Sequence, residues 1–365
     1  MSAACDSCLR RAHLIGFLAP WISQRLVRRE RLAPQLLSLP DDELIAAAAP
    51  KQGERAEAFV EGFAVDGARE GLERAGVEAT CAHRGSYPEQ LRQLSDPPAV
   101  LFTTGTLDRL VELASQPAVA IVGARRCSRY AREVAYEMGR GLGAAGVTVV
   151  SGLALGIDAE AHTGTIDARG PAIAVLAGGA DVPYPRSNRG LYLRIRRDGA
   201  VVSELPPGVR PAKWGFPARN RIMAGLAQIS VIVEAAEKSG SLITADFATQ
   251  LGRDVCAVPG HVNARVAAGS NRLLHEGAPI VRGTEDVLDM IFGVGQGPRP
   301  QGQAQQLDEH LQAVLDAVET GEGLDAISRT TPMSAADVRA ALGRLELLGL
   351  VARDGLGTYT RTARG

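Results

Sequence analysis

Aromatic residues make up only 4% of this 365-residue chain, and lysine occurs just three times, at Lys51, Lys213 and Lys238, in a sequence full of arginine. Two of the three lysines fall beside aromatic or Gly/Ser-rich loops, where a compact ammonium differs from a planar guanidinium in what it can hold. No apolar run reaches the roughly 18 residues of a membrane span, because Arg, Gly or Asp interrupts each candidate. The five cysteines are odd in number and scattered, which excludes a disulfide scaffold. The start of the chain lacks the charged, apolar and small-residue order of a secretory leader, so a cytoplasmic protein is expected. A net charge of −1 means that any polyanionic partner must be met by local patches. Apolar content of 45% is ample for a core.

What is there divides into parts. Residues 1–82 repeat apolar side chains at helical spacing, through Leu14, Ile15, Leu18 and Ile22 and then Leu36, Leu37, Leu44 and Ile45. Asp41-Asp42-Glu43 after Pro40 marks a helix start. A small helical module is expected, of the sterile-alpha-motif or helix-hairpin-helix kind, used for docking or as an ancillary DNA contact. Residues 83–292 change pattern. Short apolar runs at 119–122, 147–150, 172–176, 201–202, 229–233, 255–258 and 280–281 alternate with amphipathic stretches at 130–145, 158–168, 188–197 and 241–251. Fully apolar strands alternating with helices predict an α/β fold, a doubly wound, mostly parallel sheet covered on both faces. Right-handed crossovers then place the loops after the strands along one edge.

The unusual residues collect in those loops. Gly123-Ala124-Arg125 follows the first run, and Ser151-Gly152 opens the glycine-rich stretch after the second. Gly178-Gly179, Ser203-Glu204, the segment 234–241 and Pro259-Gly260 follow the others. Glycine lets backbone amides approach a ligand, and amides at helix N-termini favour anions. Between the fourth and fifth runs lies K-W-G-F-P-A-R-N-R-I-M, residues 213–223. Pro217 suits a first helical turn, which puts Arg219, Asn220 and Arg221 near the positive end of a helix. Lys213, an exposed ring and paired guanidinia suit a phosphate chain with a base stacked on it. The alternative is a salt-bridged loop that packs Trp214 and Phe216 into the core.

Other motifs point less far. There is neither G-x-G-x-x-G nor a Walker lysine loop. Asp158 and His162 share a helix face, but no third ligand is evident, and a capping Asp with a hydrogen-bonded His holding the glycine loop accounts for both. Cys5-x-x-Cys8 could complete a zinc set with Cys81 and His83, yet no second close-spaced pair supports it. Two reduced surface thiols, and no metal, are expected. Residues 293–306 are rich in Gly, Pro and Gln and read as a linker. Residues 307–365 predict three helices and a hairpin turning at Asp354-Gly355, the winged-helix plan. Arg339 and Arg344 are the only bases on its third helix, so a protein-contact role suits it at least as well as duplex reading.

With those loops in view, the chain resembles the DprA/Smf DNA-processing family. The motifs that carry the resemblance are V-G-A-R, S-G-L-A-L-G-I-D-A-E-A-H, A-V-L-A-G-G-A-D-V-P-Y-P, V-S-E-L-P-P-G, F-P-A-R-N-R-I-M-A-G-L, V-E-A-A-E-K-S-G-S-L-I-T-A, A-V-P-G and G-S-N-R-L-L-H-E-G-A, together with the upstream Y-P-E-Q-L-R-Q-L-S-D-P-P-A-V-L-F-T-T-G. They cover about residues 86–292 in family order. The resemblance implies an extended Rossmann-like core that binds single-stranded DNA, protects incoming DNA in natural transformation and helps load the RecA recombinase. It also implies a homodimer formed through the core, no cofactor and no enzymatic activity. Carried over by motif, Arg125 is the loop arginine, Lys213 and Phe216 are the K-x-x-F pair, and Arg219, Asn220 and Arg221 complete that motif. Ser239, Gly240 and Ser241 match the following serine-glycine loop. Ala124 departs from the pattern, where many members carry Ser or Thr, and removes a hydroxyl that would contact phosphate.

The expected DNA-binding set is therefore Gly123, Arg125, Ser151, Gly152, Lys213, Phe216, Arg219, Asn220, Arg221, Ser239, Gly240 and Ser241. Two rival functions are a Rossmann-like nucleotide-binding protein or hydrolase that uses the same sheet edge, and an adaptor that works through its helical ends.

Overall fold

The computed structural model of the chain describes residues 4–298, 307–320, 324–353 and 357–362. The apolar runs form strands β3 (Ala118–Val122), β4 (Thr148–Ser151), β5 (Ala172–Val175), β6 (Ala200–Ser203), β7 (Ile229–Ile232) and β8 (Asp254–Ala257), paired in parallel throughout. Two further strands, β1 (Val77–Thr80) and β2 (Leu101–Thr104), extend the sheet in antiparallel fashion. The order is β1-β2-β6-β5-β4-β3-β7-β8.

Side chains alternate between the two faces, as the pleat requires. Val119, Ile121, Val149 and Val231 pack under the Arg129–Ala144 helix. Val122, Val150, Val175 and Ile232 pack against residues of the Gly215–Leu226 and Ser241–Gln250 helices on the other side. Where the Arg129–Ala144 and Ile157–Asp167 helices cross, a Cβ on Gly164 would meet the Tyr136 carbonyl, so only glycine permits this approach.

The two antiparallel strands were not legible, because V-E-A-T and L-F-T-T are four residues each and half polar. β1 falls inside the stretch 1–82, so the sheet takes its first strand from the segment read as purely helical. The run at 280–281 forms only an isolated bridge, Ile280 to Ala257. Pro279 directly before it has no amide to extend a ladder.

The N-terminal helices, Asp6–Arg25, Ala33–Leu37, Asp41–Ala48, Gly53–Glu61 and Val65–Ala75, enclose Leu14, Ile15, Leu18, Ile22, Leu37, Leu44 and Ile45. Trp214 and Ala218 complete that cluster, and Trp214 Nε1 donates to Ser23 Oγ at 3.1 Å. The Gly215–Leu226 helix is thus clamped between the sheet and the N-terminal module, which explains why every residue from Pro217 to Leu226 is buried.

The C-terminal unit has helices Glu309–Thr320, Leu324–Thr330 and Ala335–Leu347 and an antiparallel pair, β9 (Val351–Arg353) and β10 (Tyr359–Arg361). Ser334 caps the third helix, its Oγ accepting the Asp337 amide at 3.2 Å. The expected turn at Asp354-Gly355 and residues 299–306 of the linker lie outside the described residues. Among those residues no helix is long and apolar enough to cross a membrane.

Candidate nucleic-acid interface

β3 leads into a helix on one face of the sheet, while its neighbour β7 leads into a helix on the other. The chain therefore parts at the C-terminal ends of these two strands, where a doubly wound sheet opens its crevice. A pocket of about 200 Å³ lies there, lined by Gly123, Arg125, Asp158, Phe216, Arg219, Asn220, Ser239, Gly240, Ser241 and Thr244 among others. A smaller, mostly apolar hollow adjoins it, bounded by Gly152, Leu155, Tyr184 and Pro185, with Arg125 and Phe216 forming the shared wall.

The wall is a stacked pair. The Arg125 guanidinium carbon sits 4.5 Å from the Phe216 ring centroid, and Tyr184 leans on the same ring at 5.8 Å. Arg125 and Lys213 are exposed and Phe216 is half-buried. The helix carrying Phe216 begins at Gly215, two residues before Pro217, so the ring belongs to its first turn.

The loops are fixed by buried polar groups. Asp158 accepts the amides of Gly152 at 3.1 Å and Ala154 at 3.4 Å, and Glu234 receives the Ser128 amide and hydroxyl, each at 2.8 Å. Arg219 donates to the Val175 carbonyl at 2.8 Å and lies 3.6 Å from Asp158. Burial pushes the Asp158 carboxyl up and the Arg219 guanidinium down, each opposed by the charge of the other. A Cβ on Gly152 would run into the Arg219 guanidinium, so this glycine is required for close approach. Asn220 Nδ2 donates to the Gly240 carbonyl at 3.0 Å, tying the helix to the serine-glycine loop. Ser239 and Ser241 share a 2.8 Å hydroxyl contact at the start of the Ser241–Gln250 helix, whose dipole turns its positive end toward the pocket. Among the described residues, two polar atoms on the pocket residues, Arg219 Nε and Thr244 Oγ1, are buried without a hydrogen-bond partner.

Two expected contacts are placed differently. Arg221 is 1% exposed and forks onto Glu204 at 2.7 and 2.9 Å, with Nε 2.9 Å from Asp96. Burial alone would lower its pKa, but Glu204 and Asp96 outweigh that and raise it. This arginine is part of a buried ion-pair network and is not open to a phosphate. Ser151 is fully buried, its hydroxyl spent on the Ile121 carbonyl at 2.6 Å. Trp214 is in the core, where the alternative reading of this segment places it. The alternative of a salt-bridged segment packed into the core thus holds for Trp214 and Arg221, while Phe216 faces the pocket.

Asp158 anchors the loop but does not cap its helix, whose N-cap is Gly156, and among the described residues neither ring nitrogen of His162 has the hydrogen-bond partner expected for it. His162 is fully buried, and desolvation lowers it to about 4, so the imidazole is neutral. Tyr184 and Thr244 lie within the quoted motifs but were not singled out as site residues, and the fold brings them to the pockets. Cys5 and Cys8, expected as two reduced surface thiols, are half-buried, and Cys81 and His83 lie against them.

Charge on this edge is unbalanced. Arg125 and Arg126 follow β3, Arg186 follows β5, Arg210 and Lys213 follow β6, and Lys238 follows β7; all are exposed. Among the described residues none of these six forms an ion pair, whereas arginines elsewhere are repeatedly paired with carboxylates.

The comparisons with known proteins agree with this architecture. Residues 78–292 match the family described as DNA recombination-mediator protein A, and residues 298–355 match the DprA winged helix domain. The chain is 40% identical over 276 residues to the putative DNA processing protein DprA of Mycobacterium tuberculosis, covering 73% of this chain and 70% of that protein. It is 43% identical over 202 residues to the DNA processing protein DprA of Streptococcus pneumoniae, covering 55% and 70%. The solved structure of the Streptococcus pneumoniae protein superposes with a TM-score of 0.62 at 32% identity, over 78% of this chain and 96% of that one. A second structure, reported for the single-stranded DNA binding mode of DNA processing protein A from Helicobacter pylori, gives a TM-score of 0.51 at 29% identity, over 56% and 92%. The chain belongs to the DprA/Smf family of DNA-processing proteins.

Proposed function

We propose that this chain binds single-stranded DNA along the C-terminal edge of its sheet. The carrying observation is the row of exposed, unpaired cations around a half-buried ring at the switch point. Phosphates suit the cations and the glycine-loop amides, and a base suits the Phe216 face. Cation–π contact at an exposed site contributes about 0.5–1 kcal/mol, whereas a stacked base contributes about 1–3 kcal/mol. A base therefore displaces the Arg125 guanidinium from the ring, and the released arginine pairs with the neighbouring phosphate. The Helicobacter pylori relative, described for its single-stranded DNA binding, supports the same ligand here.

The family membership further supports protection of incoming single strands, loading of RecA onto them, action as a homodimer in the cytoplasm, and no catalytic step. In this reading Asp158 holds the glycine loop, His162 is a buried neutral side chain, and neither does chemistry. The DNA affinity resides in residues 83–292, and the winged-helix unit serves partners.

The nucleotide-binding reading competes for the same pocket. Its volume of about 200 Å³ is below the roughly 300–1,000 Å³ of small-molecule sites, which favours one unit of a longer chain over a free nucleotide. Titrating a labelled single-stranded oligonucleotide with duplex and mononucleotides as competitors separates the two. The proposal expects saturable binding that duplex and mononucleotides displace poorly, retained after deletion of residues 293–365. Displacement by mononucleotides at comparable concentration would favour the rival.

A further inference from the structure

The sequence offers Cys5 and Cys8 at one end of a helical module and Cys81 and His83 some 75 positions away. The fold closes that gap. Cys5 is the N-cap residue of the Asp6–Arg25 helix and Cys8 lies in its first turn, so the two thiols emerge on one side of the helix start. Cys81 follows β1 directly, and His83 stands two residues on. The segment before the helix is pinned to that strand by the Ala4 amide, which donates to the Ala79 carbonyl at 3.0 Å. One ligand atom from each of the four residues falls within 4.8 Å of every other.

The spacing has the size of a metal polyhedron. With Zn–S near 2.3 Å and Zn–N near 2.0–2.1 Å, a tetrahedron has S···S edges of about 3.8 Å and S···N edges of about 3.6 Å. Cys5 Sγ and Cys81 Sγ are 3.8 Å apart. His83 Nδ1 lies 3.4 Å from Cys5 Sγ, 3.4 Å from Cys8 Sγ and 4.0 Å from Cys81 Sγ. Further donors surround the sulfurs: the Cys5 amide points at Cys81 Sγ at 3.4 Å and the Ser7 hydroxyl lies 3.3 Å from Cys5 Sγ. Such outer contacts orient and stabilise metal-bound thiolates. A set of three sulfurs and one imidazole in a tetrahedral frame selects zinc among the common divalent ions.

We propose that Cys5, Cys8, Cys81 and His83 form a structural zinc site that fastens the N-terminal helix to the edge of the sheet. Binding replaces the three thiol protons, which pass to solvent, by one Zn²⁺. All four positions are taken by protein atoms, so the site holds no open coordination for catalysis. It joins the module to β1 and its following loop, away from the packing of Trp214 against the same module.

The test uses the full chain, purified under reducing conditions without a metal-affinity tag. Elemental analysis is expected to find about one zinc per chain, falling at least tenfold in Cys8→Ser and in Cys81→Ser. The reduced, metal-stripped chain titrated with Co²⁺ is expected to develop the intense visible bands of tetrahedral thiolate cobalt, saturating at one equivalent. His83 is exposed, so His83→Cys keeps the fold and a four-ligand site; it is expected to retain zinc while shifting the cobalt bands. Absence of zinc together with absence of cobalt bands overturns the proposal. So does a different metal at the site, or a cobalt spectrum that His83→Cys leaves unchanged.

Discussion

The Arg125 guanidinium lies 4.5 Å over the Phe216 ring, joining the loop after β3 to the first turn of the Gly215–Leu226 helix. Among the described residues no carboxylate forms an ion pair with the exposed Arg125, and Phe216 is only half-buried. In the proposed reading, this stacked pair on the wall between two hollows serves as a stacking platform whose cation passes to a phosphate.

Phe216→Ala is expected to weaken single-stranded DNA binding about 5- to 150-fold, the equivalent of about 1–3 kcal/mol, with little change in thermal stability. Phe216→Trp is expected to preserve the affinity. Anisotropy and a melting curve on the same preparations read both quantities.

Arg221→Ala is expected to act the other way. It leaves Glu204 and Asp96 without their buried partner, a cost of about 3–5 kcal/mol, which chemical denaturation reads directly. At concentrations and temperatures where the variant is folded, its DNA affinity is expected to stay near that of the parent, because Arg221 does not line the pocket.

How far this division could be read beforehand follows from these same residues. The six parallel strands were legible because fully apolar runs alternate with amphipathic helices, and the loops after them fell on one edge by topology. The segment at 213–223 signalled a site, but nothing local distinguishes Arg219 beneath the pocket from Arg221 paired in the core. Their separation depends on Glu204, in the loop after β6, and on Asp96. Tyr184 and Thr244 reach the pocket from other loops and helices in the same way. Cys81 and His83 could be named as partners of Cys5 and Cys8, but nothing local supported the set, because β1, which brings them against the helix start, was too short and too polar to recognise.

Gly152→Ala tests whether the glycine loop is a matter of space. The added methyl would collide with the Arg219 guanidinium and displace it from Val175 and Asp158. A loss of DNA affinity of at least tenfold is expected, with rescue by the double variant Gly152→Ala/Arg219→Ala only in stability, since the pocket floor is then gone. Binding and unfolding measured together distinguish the two effects.

His162 sets a pH dependence. Its folded pKa is lowered to about 4 by burial, against about 6.5 in an unfolded chain. Below about pH 6.5 the unfolded state binds a proton that the folded state refuses, so stability falls as pH drops from about 6.5 toward 4. The span corresponds to about 3 kcal/mol. His162→Gln is expected to lose less stability between pH 7 and pH 5 than the parent; equal losses would assign the acid sensitivity to other groups.

The most direct measurement is the salt dependence of single-stranded DNA affinity in the parent and in Arg125→Ala. Each phosphate contact to a single strand contributes about 0.7 to the slope of log affinity against log salt concentration. The account expects Arg125→Ala to bind more weakly and to flatten that slope by about 0.7, because one phosphate partner is lost. An unchanged affinity and slope would contradict it, and would mean that the cations on this edge of the sheet serve some ligand other than a nucleic-acid strand.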